Sequence, residues 1–254
     1  MRSTHDMSSD AGFDRLYGDS RAEADLPALA PWDIGGPQPA VQQLVAYGAL
    51  RGEVLDPGTG PGHHAIHYAS MGYSVTAIDE SPVAIDLAQR NAERAGVSVD
   101  FQVADATLLA GFEDRFDTVV DVSFYHVFEG DEETQSQYAQ ALHRATRPGA
   151  RLFMFEDGCG NVNGLQLEGI PAENFARILP AAGWRIDHMS TGTLQSIYSP
   201  EVFEHMFSVL EQLDRSQDAA LFQPWLERLQ ILEPLLQDYL VHTPVWVVNA
   251  TRVD

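Results

Sequence analysis

Two patterns alternate through the middle of this chain. Short runs rich in Val, Ile, Leu and Phe read as strands at 53–56, 74–79, 99–103, 116–121 and 150–156. Between them, helices are expected at 63–71, 82–95 and 132–146, with short loop or helical matter at 106–112. Ser81-Pro82 is a helix start, with Ser as cap and Pro in the first turn, and Gly96 is a stop. Arg147-Pro148-Gly149 ends the next helix. Strand and helix in strict alternation imply parallel strands joined by right-handed crossovers, with ligands at the carboxyl ends of the strands.

The rhythm changes toward both ends. Residues 1–11 are polar, without periodicity, and are expected to be disordered. An acidic, Ala-rich stretch containing Tyr17 follows, then the turn Pro31-Trp-Asp-Ile-Gly-Gly-Pro-Gln-Pro39 and a helix at 40–46, so that 12–45 forms an N-terminal cap on a single domain spanning 1–254. Trp32 in that rigid turn either plugs the interior or lies over a ligand face. Past 156, Gly158-Cys-Gly-Asn-Val-Asn-Gly164 reads as a flexible loop, 171–182 as a helix ended by Gly183, and 184–190 as a strand. Residues 199–241 read as helical. Phe203, Met206, Phe207, Leu210 and Leu213 make one apolar stripe, and Leu221, Phe222, Trp225, Leu226, Leu229, Leu232 and Leu236 a second, kinked at Pro224 and Pro234. This insertion is a substrate-side cap or a dimer element, and the final strand is 245–253. No internal repeat or low-complexity tract is present.

The chemistry concentrates at Glu53-Val-Leu-Asp-Pro-Gly-Thr-Gly-Pro-Gly62, where a strand runs into a glycine loop and then a helix. Glycine lets the chain turn sharply and lets a ligand approach without a Cβ in the way. Asp79, seventeen residues after Gly62 at the end of the second strand, can accept hydrogen bonds from both ribose hydroxyls of an adenosine cofactor. A dinucleotide loop reads G-x-G-x-x-G; counted from Gly58, the third glycine is replaced by His63, which argues against an NAD-linked dehydrogenase. Asp56, two residues before the first glycine, would repel a pyrophosphate but suits a ligand with a cationic end.

These residues resemble motif I of the class I S-adenosylmethionine (SAM) methyltransferases. Over about 30–195 and 244–253 the chain is similar to small-molecule enzymes of the thiopurine and heterocycle methyltransferase type. The resemblance is carried by the 31–39 turn, Leu55-Asp-Pro-Gly-Thr-Gly-Pro-Gly62, Val75-Thr-Ala-Ile-Asp-Glu-Ser-Pro-Val-Ala-Ile85, Val103-Ala-Asp-Ala106, Phe116-Asp-Thr-Val-Val-Asp121 and Arg147-Pro-Gly-Ala150. It implies a Rossmann-like α/β fold: a seven-stranded, mostly parallel sheet with helices on both faces and the last strand antiparallel. It implies SAM as cofactor, with S-adenosylhomocysteine as product, and a methyl acceptor that is a small aromatic or heterocyclic molecule. Asp79 would bind the ribose, Asp105 and Ala106 the adenine, and Gly58 and Gly60 the methionine moiety. Trp32, Asp56, Gly62, Glu80 and Asp121 complete the expected cofactor set. Two departures stand out: His63 replaces an acid often found there, and 199–241 is long for its place before the last strand.

Methyl transfer from a sulfonium needs alignment, exclusion of water and, for a protonated acceptor, removal of a proton. Asp121, Ser123, Tyr125 and His126 follow the fourth strand. His126 is the candidate base by its ordinary pKa, with a packed, hydrogen-bonded histidine as the other reading. Asp121 fits orientation of cofactor or loop better than proton transfer. Glu156 and Asp157 line the substrate side or are merely solvated. His63, His64 and His67 lack a third ligand and an H-E-x-x-H pattern, so no metal is expected. Cys159, the only cysteine, has no basic neighbour to activate it, and no intrachain disulfide is possible.

Composition adds limits. The net charge of −22, from 15 basic and 37 acidic residues, disfavours nucleic acid and anionic membranes as partners and favours small neutral or cationic ones, or serves solubility alone. No apolar run approaches the ~20 residues of a membrane span, and the N-terminus lacks the apolar region of a secretory signal, so a cytoplasmic monomer or homodimer is expected. A SAM-binding regulatory protein that has lost catalysis is the alternative function, separated from an enzyme by turnover of labelled SAM.

Overall fold

A computed structural model describes residues 14, 15, 17, 30–162, 165–167, 169–212, 226–228 and 231–254. Its elements, in order, are α1 (Pro39–Ala46), β1 (Glu53–Pro57), α2 (His63–Ser70), β2 (Ser74–Asp79), α3 (Pro82–Ala95), β3 (Asp100–Val103), β4 (Phe116–Val122), a 3-10 turn (Tyr125–Phe128), α4 (Glu132–Ala145), β5 (Thr146–Asp157), β6 (Gly160–Val162), β7 (Leu165–Leu167), α5 (Ala172–Ala181), β8 (Trp184–Ile197), α6 (Pro200–Gln212) and β9 (Leu240–Arg252). Seven strands form the main sheet in the order β3-β2-β1-β4-β5-β9-β8. The first five pair in parallel, and β9 runs antiparallel to both β5 and β8. Chain order reverses between β1 and β4, which opens a crevice at the carboxyl ends of those strands.

Both faces of the sheet are covered, so its strands alternate between two apolar layers rather than between apolar and polar. Leu55, Ile78, Val119 and Leu152 join one layer with Tyr138 and Leu142 of α4 and Phe175 of α5. Their neighbours Val54, Ala77, Val120 and Phe153 join the other with Val41 and Val45 of α1 and Tyr68 of α2. Local signals set the helix ends. Ser81 caps α3 by accepting from the Ala84 N–H at 3.1 Å, and Gly96 ends it in a left-handed conformation. Asp131 caps α4 by accepting from the Thr134 N–H at 3.1 Å, with Glu132 and Glu133 in the first turn.

The core elements agree with the sequence expectation within a few residues. The C-terminal part does not. β5 begins at Thr146 rather than 150, because Arg147-Pro-Gly149 is taken into the strand. β8 runs to Ile197 rather than 190, and β9 starts at Leu240 rather than 245, because the two pair along their whole length: Ile197 lies opposite Leu240 and Gly192 opposite Val245. The helical reading of 199–241 therefore fails after the 3-10 turn Glu233–Leu235. The expected loop at 158–164 contains β6, which pairs with β7 in a small hairpin. Of the two stripes, Phe203, Met206 and Leu210 of α6 are buried. Leu213, Leu221, Phe222, Trp225 and Leu229 lie outside the described residues, as do 1–11 and most of 12–29.

The long β8–β9 pair shapes the site. β5 ends opposite Val245, while β8 and β9 continue for five more pairs, an overhang of roughly 16 Å past the sheet at ~3.3 Å per residue. The 31–39 turn is fastened to it. Gln38, buried, donates to the Gln195 carbonyl and accepts from the Gln195 N–H, both at 2.8 Å, and so acts as a short substitute strand on the edge of β8. The Ile197 N–H donates to the Pro31 carbonyl at 2.8 Å.

Candidate functional site

The crevice floor is the loop between β1 and α2. Gly58, Gly60 and Gly62 all take positive φ, at 64°, 51° and 81°. At Gly58 the space a Cβ would fill is occupied by the Phe124 ring, and at Gly60 the Tyr17 hydroxyl lies 2.9 Å from such a Cβ. Side chains at these positions would be both strained and blocked. Asp79 holds the loop in place: one carboxylate oxygen accepts from the Gly60 N–H at 2.9 Å and the other from the Ser81 N–H at 2.9 Å. Each oxygen keeps a second lone pair. Asp79 is partly exposed. Burial raises its pKa, and the two backbone donors oppose that rise.

Asp56 lies beneath the loop, 2 % exposed, accepting from the Thr59 hydroxyl at 2.6 Å. Burial lifts its pKa to about 7, against the pull of that hydrogen bond. It acts on the loop through Thr59, not from the open crevice. Asp105 accepts from both the N–H (2.7 Å) and the hydroxyl (2.6 Å) of Thr107, which fixes the turn after β3, and Ala106 is buried behind it. Glu80 is exposed beside Asp79.

Residues 30–38 bridge the crevice from the overhang to α2. Asp33, buried, accepts from the Gly35 N–H at 2.8 Å and sits 3.0 Å from His63 Nε2. His64 Nε2 accepts from the Gln38 N–H at 3.3 Å; burial first, then the neighbouring His63 and His67, depresses its pKa to about 3, which leaves it a neutral acceptor. His63 and His64 thus serve the bridge. Among the described residues no cluster of three or more metal-type ligands occurs. Trp32 is on the surface of the bridge, 37 % exposed, and donates from Nε1 to the Tyr17 hydroxyl at 3.3 Å. Tyr17 is the residue under it, buried against Ala84, Val83 and Leu87. Burial and the nearby Asp79 carboxylate keep its phenol protonated well past the ordinary tyrosine range. Asp14 accepts from the Ser81 hydroxyl. The sequence marked Trp32; nothing in the spacing pointed to Tyr17.

On the other side of the crevice β4 and β5 end in acids. Asp121 and Glu156 are both fully buried. Asp121 accepts from the Tyr138 hydroxyl at 2.8 Å and the Phe124 N–H at 3.2 Å, and shares a hydrogen bond with Glu156. Burial and the neighbouring Glu156 push the Asp121 carboxyl well above the usual range. Glu156 accepts from the Phe124 N–H (3.3 Å), the His126 N–H (2.9 Å) and His126 Nδ1 (3.3 Å). One carboxylate therefore anchors the whole turn after β4, which begins at Ser123 with a strained φ of 57°. Asp121, buried and bonded to the Tyr138 hydroxyl and the Phe124 N–H, helps to hold this turn. Glu156, with solvation as one of its two readings, is instead the anchor.

His126, the candidate base, is held by the same acids. Burial alone would lower its pKa, but the carboxylates of Asp157, Glu156 and Glu129 outweigh burial and raise it to about 9. These carboxylates favour the protonated ring. Its Nδ1 faces Glu156; its Nε2 has Asp157 at 3.9 Å, beyond hydrogen-bond reach. The side chain is 25 % exposed. Tyr198, between β8 and α6, is partly buried, and desolvation and the Asp157 charge raise its phenol pKa. Tyr198 and Phe203 pack with ring centroids 5.6 Å apart, and Phe203 and Phe207 at 6.2 Å.

Comparisons with known proteins add to this geometry. Residues 54–149 match a family model described as a methyltransferase domain. The chain is 37 % identical over 134 residues to a 2-heptyl-1-hydroxyquinolin-4(1H)-one methyltransferase of Mycobacteroides abscessus, covering 52 % of this chain and 58 % of that protein. It is 37 % identical over 112 residues to an uncharacterized methyltransferase of Schizosaccharomyces pombe, covering 44 % of this chain and 75 % of that one. A solved structure concerned with the conversion of a disulfide bond into a thioacetal group during echinomycin biosynthesis aligns with a TM-score of 0.71 at 28 % identity, over 96 % of this chain and 93 % of that one.

Proposed function

This chain belongs to the class I SAM-dependent methyltransferases, and on that premise we propose that it methylates an O, N or S atom of a small aromatic or heterocyclic molecule. The observation that carries the reading is the Asp79 carboxylate tied to the Gly60 N–H at the switch point of the sheet, with lone pairs left for a ribose. The residues fit the cofactor: a glycine loop without side chains, an acid beside it and a second acid, Asp56, beneath it. When bound, SAM supplies a methyl group on a cationic sulfur.

The protein's own residues do the rest. Asp79 holds the ribose and the loop together. Asp105 and Ala106 bound the adenine side, and Gly58 and Gly60 let the methionine end lie against backbone. Tyr17, Trp32 and the 30–38 bridge exclude water above it. The turn anchored by Glu156 places Phe124 between the cofactor side and the acceptor side. The acceptor lies beyond it, under the overhang and α6, beside the partly exposed Tyr198. The name of the M. abscessus relative, a methyltransferase of an N-hydroxy heterocycle, supports an acceptor of this class.

Calorimetry should show SAM and S-adenosylhomocysteine binding with NAD silent. Labelled SAM should then be consumed with at least one of a set of phenols, thiols and N-hydroxy heterocycles. Absence of SAM binding refutes the reading.

A further inference from the structure

We propose that the 31–38 turn is a strap that gates exchange of the cofactor, and that His63 is its catch, with Asp33 as the strap's half of that catch. The proposal rests on the methyltransferase reading and names a regulation of that same site: how fast SAM enters and S-adenosylhomocysteine leaves.

The strap is fastened to β8 at both of its ends. The Pro31 carbonyl accepts from the Ile197 N–H at 2.8 Å, and the buried Gln38 side chain exchanges two bonds of 2.8 Å with the Gln195 backbone. The Gln38 N–H, at one of these fixed ends, also donates to His64 Nε2 at 3.3 Å. Between the ends the chain loops out to α2, where Asp33 lies 3.0 Å from His63 Nε2. Ends and tip differ in kind. The ends are held by the strand backbone, whereas the tip meets α2 through a side-chain contact whose histidine is 24 % exposed. Gly35, at a φ of 74°, and Gly36, where a Cβ would meet nothing within 4 Å, follow the tip and let it lift without moving the ends.

The tip carries the roof of the crevice. Trp32, next to Asp33, donates to the Tyr17 hydroxyl, which stands 2.9 Å from the place of a Cβ on Gly60. The methyltransferase reading puts the methionine end of the cofactor at Gly58 and Gly60, so a cofactor passes this pair on its way in and out. His63 opens α2 directly after Gly62, which seats the catch on the glycine loop itself. The residue types suit the task. Asp33 is buried, and a buried carboxylate is unfavourable without donors. It accepts from the Gly35 N–H within the strap, and from the His63 ring only while the strap is down. An acid at 63 would repel Asp33 and hold the strap open; a histidine can donate to it. Because His63 and Asp33 bond to each other and not to the expected ligand, the catch closes over a loaded and an empty crevice alike. Breaking it therefore speeds entry and exit by the same factor and leaves the affinity where it was.

The test uses the full-length protein with S-adenosylhomocysteine as probe. Release of the radiolabelled probe is followed in a chase with unlabelled probe, association by stopped-flow tryptophan fluorescence, and affinity by calorimetry. In His63→Ala both rate constants should rise about tenfold, as expected for loss of a hydrogen bond to a charged group, while the dissociation constant stays within about threefold of the wild-type value. His63→Gln, which can still donate, should exchange slowly, and His63→Glu at least as fast as His63→Ala. Asp33→Asn should speed exchange in the wild-type protein and add nothing in His63→Ala, because the two residues act through one contact. Circular dichroism checks the fold of each variant, and where His63→Ala does not fold, Asp33→Asn carries the same expectation. Unchanged rates in a folded variant, faster release without faster association, or additive effects of the two substitutions overturn the proposal. S-Adenosylhomocysteine binding to the wild-type protein is measured first: if it fails, the methyltransferase reading falls and this proposal with it; if it holds while the rates do not move, only this proposal falls.

Discussion

Removing the Asp79 carboxylate tests the cofactor side most directly, because this one group holds both the loop and, in the proposed function, the ribose. In Asp79→Ala the Gly60 and Ser81 N–H groups lose their partner, and two further hydrogen bonds to a ribose diol are lost. Bonds to a charged group contribute about 1.5–3 kcal/mol each, and water recovers part of that at a half-open site, so SAM affinity should fall by about 2–4 kcal/mol, or ~30- to 1,000-fold. Asp79→Asn separates the two roles. The amide keeps one acceptor oxygen for one backbone N–H, but its NH2 opposes the other donor and can no longer accept from a hydroxyl. It should lose about half as much. Titration calorimetry with S-adenosylhomocysteine at pH 8 gives the affinities, and urea denaturation of the free proteins shows how much of the loss is loop disorder. If Asp79→Ala binds as tightly as the parent, the ribose assignment is wrong. If its affinity falls only in proportion to its own stability, Asp79 is a loop anchor and nothing more.

Three other outcomes are expected. Gly58→Ala sets a methyl group into the Phe124 ring at a φ of 64° and should lower stability by about 1–3 kcal/mol in urea melts while displacing the turn after β4; an unchanged midpoint would mean that the ring swings aside freely. Because the His126 pKa is raised from the ordinary 6.5 to about 9 in the folded protein, its contribution is complete below pH 6.5 and is lost as pH climbs through 9, at most about 3 kcal/mol; the slope of stability against pH over that window should flatten in His126→Gln, and an unaltered slope would refute the charge assignment. Replacing 200–238 by a Gly-Ser linker should spare cofactor binding and abolish acceptor turnover; normal turnover would rule out a substrate cap, and loss only of a dimer in light scattering would assign the segment to subunit contact.

The central fold was legible because its signals are local. Ser81, Pro82 and Gly96 bound α3 whatever else the chain does, and the apolar runs at β1, β2 and β4 admit only buried strands once helices separate them. The glycine loop was legible for the same reason: a positive φ and a close approach demand glycine at 58, 60 and 62, and the demand is written in the residue type. What the tertiary structure alone decided is every case where a partner lies far along the chain. β8 outruns its apolar pattern because β9 pairs with it to Leu240, and Gln38 serves as a strand surrogate 157 residues from Gln195. Tyr17 meets Gly60 only in the folded chain. Most of all, the surroundings of Glu156 and His126 are set by the fold. Full burial beside Asp121 makes Glu156 the anchor of a turn, and the carboxylates around His126 raise its pKa above that of a free imidazole. Charge states depend on what surrounds a group in space, and sequence order does not contain that distance.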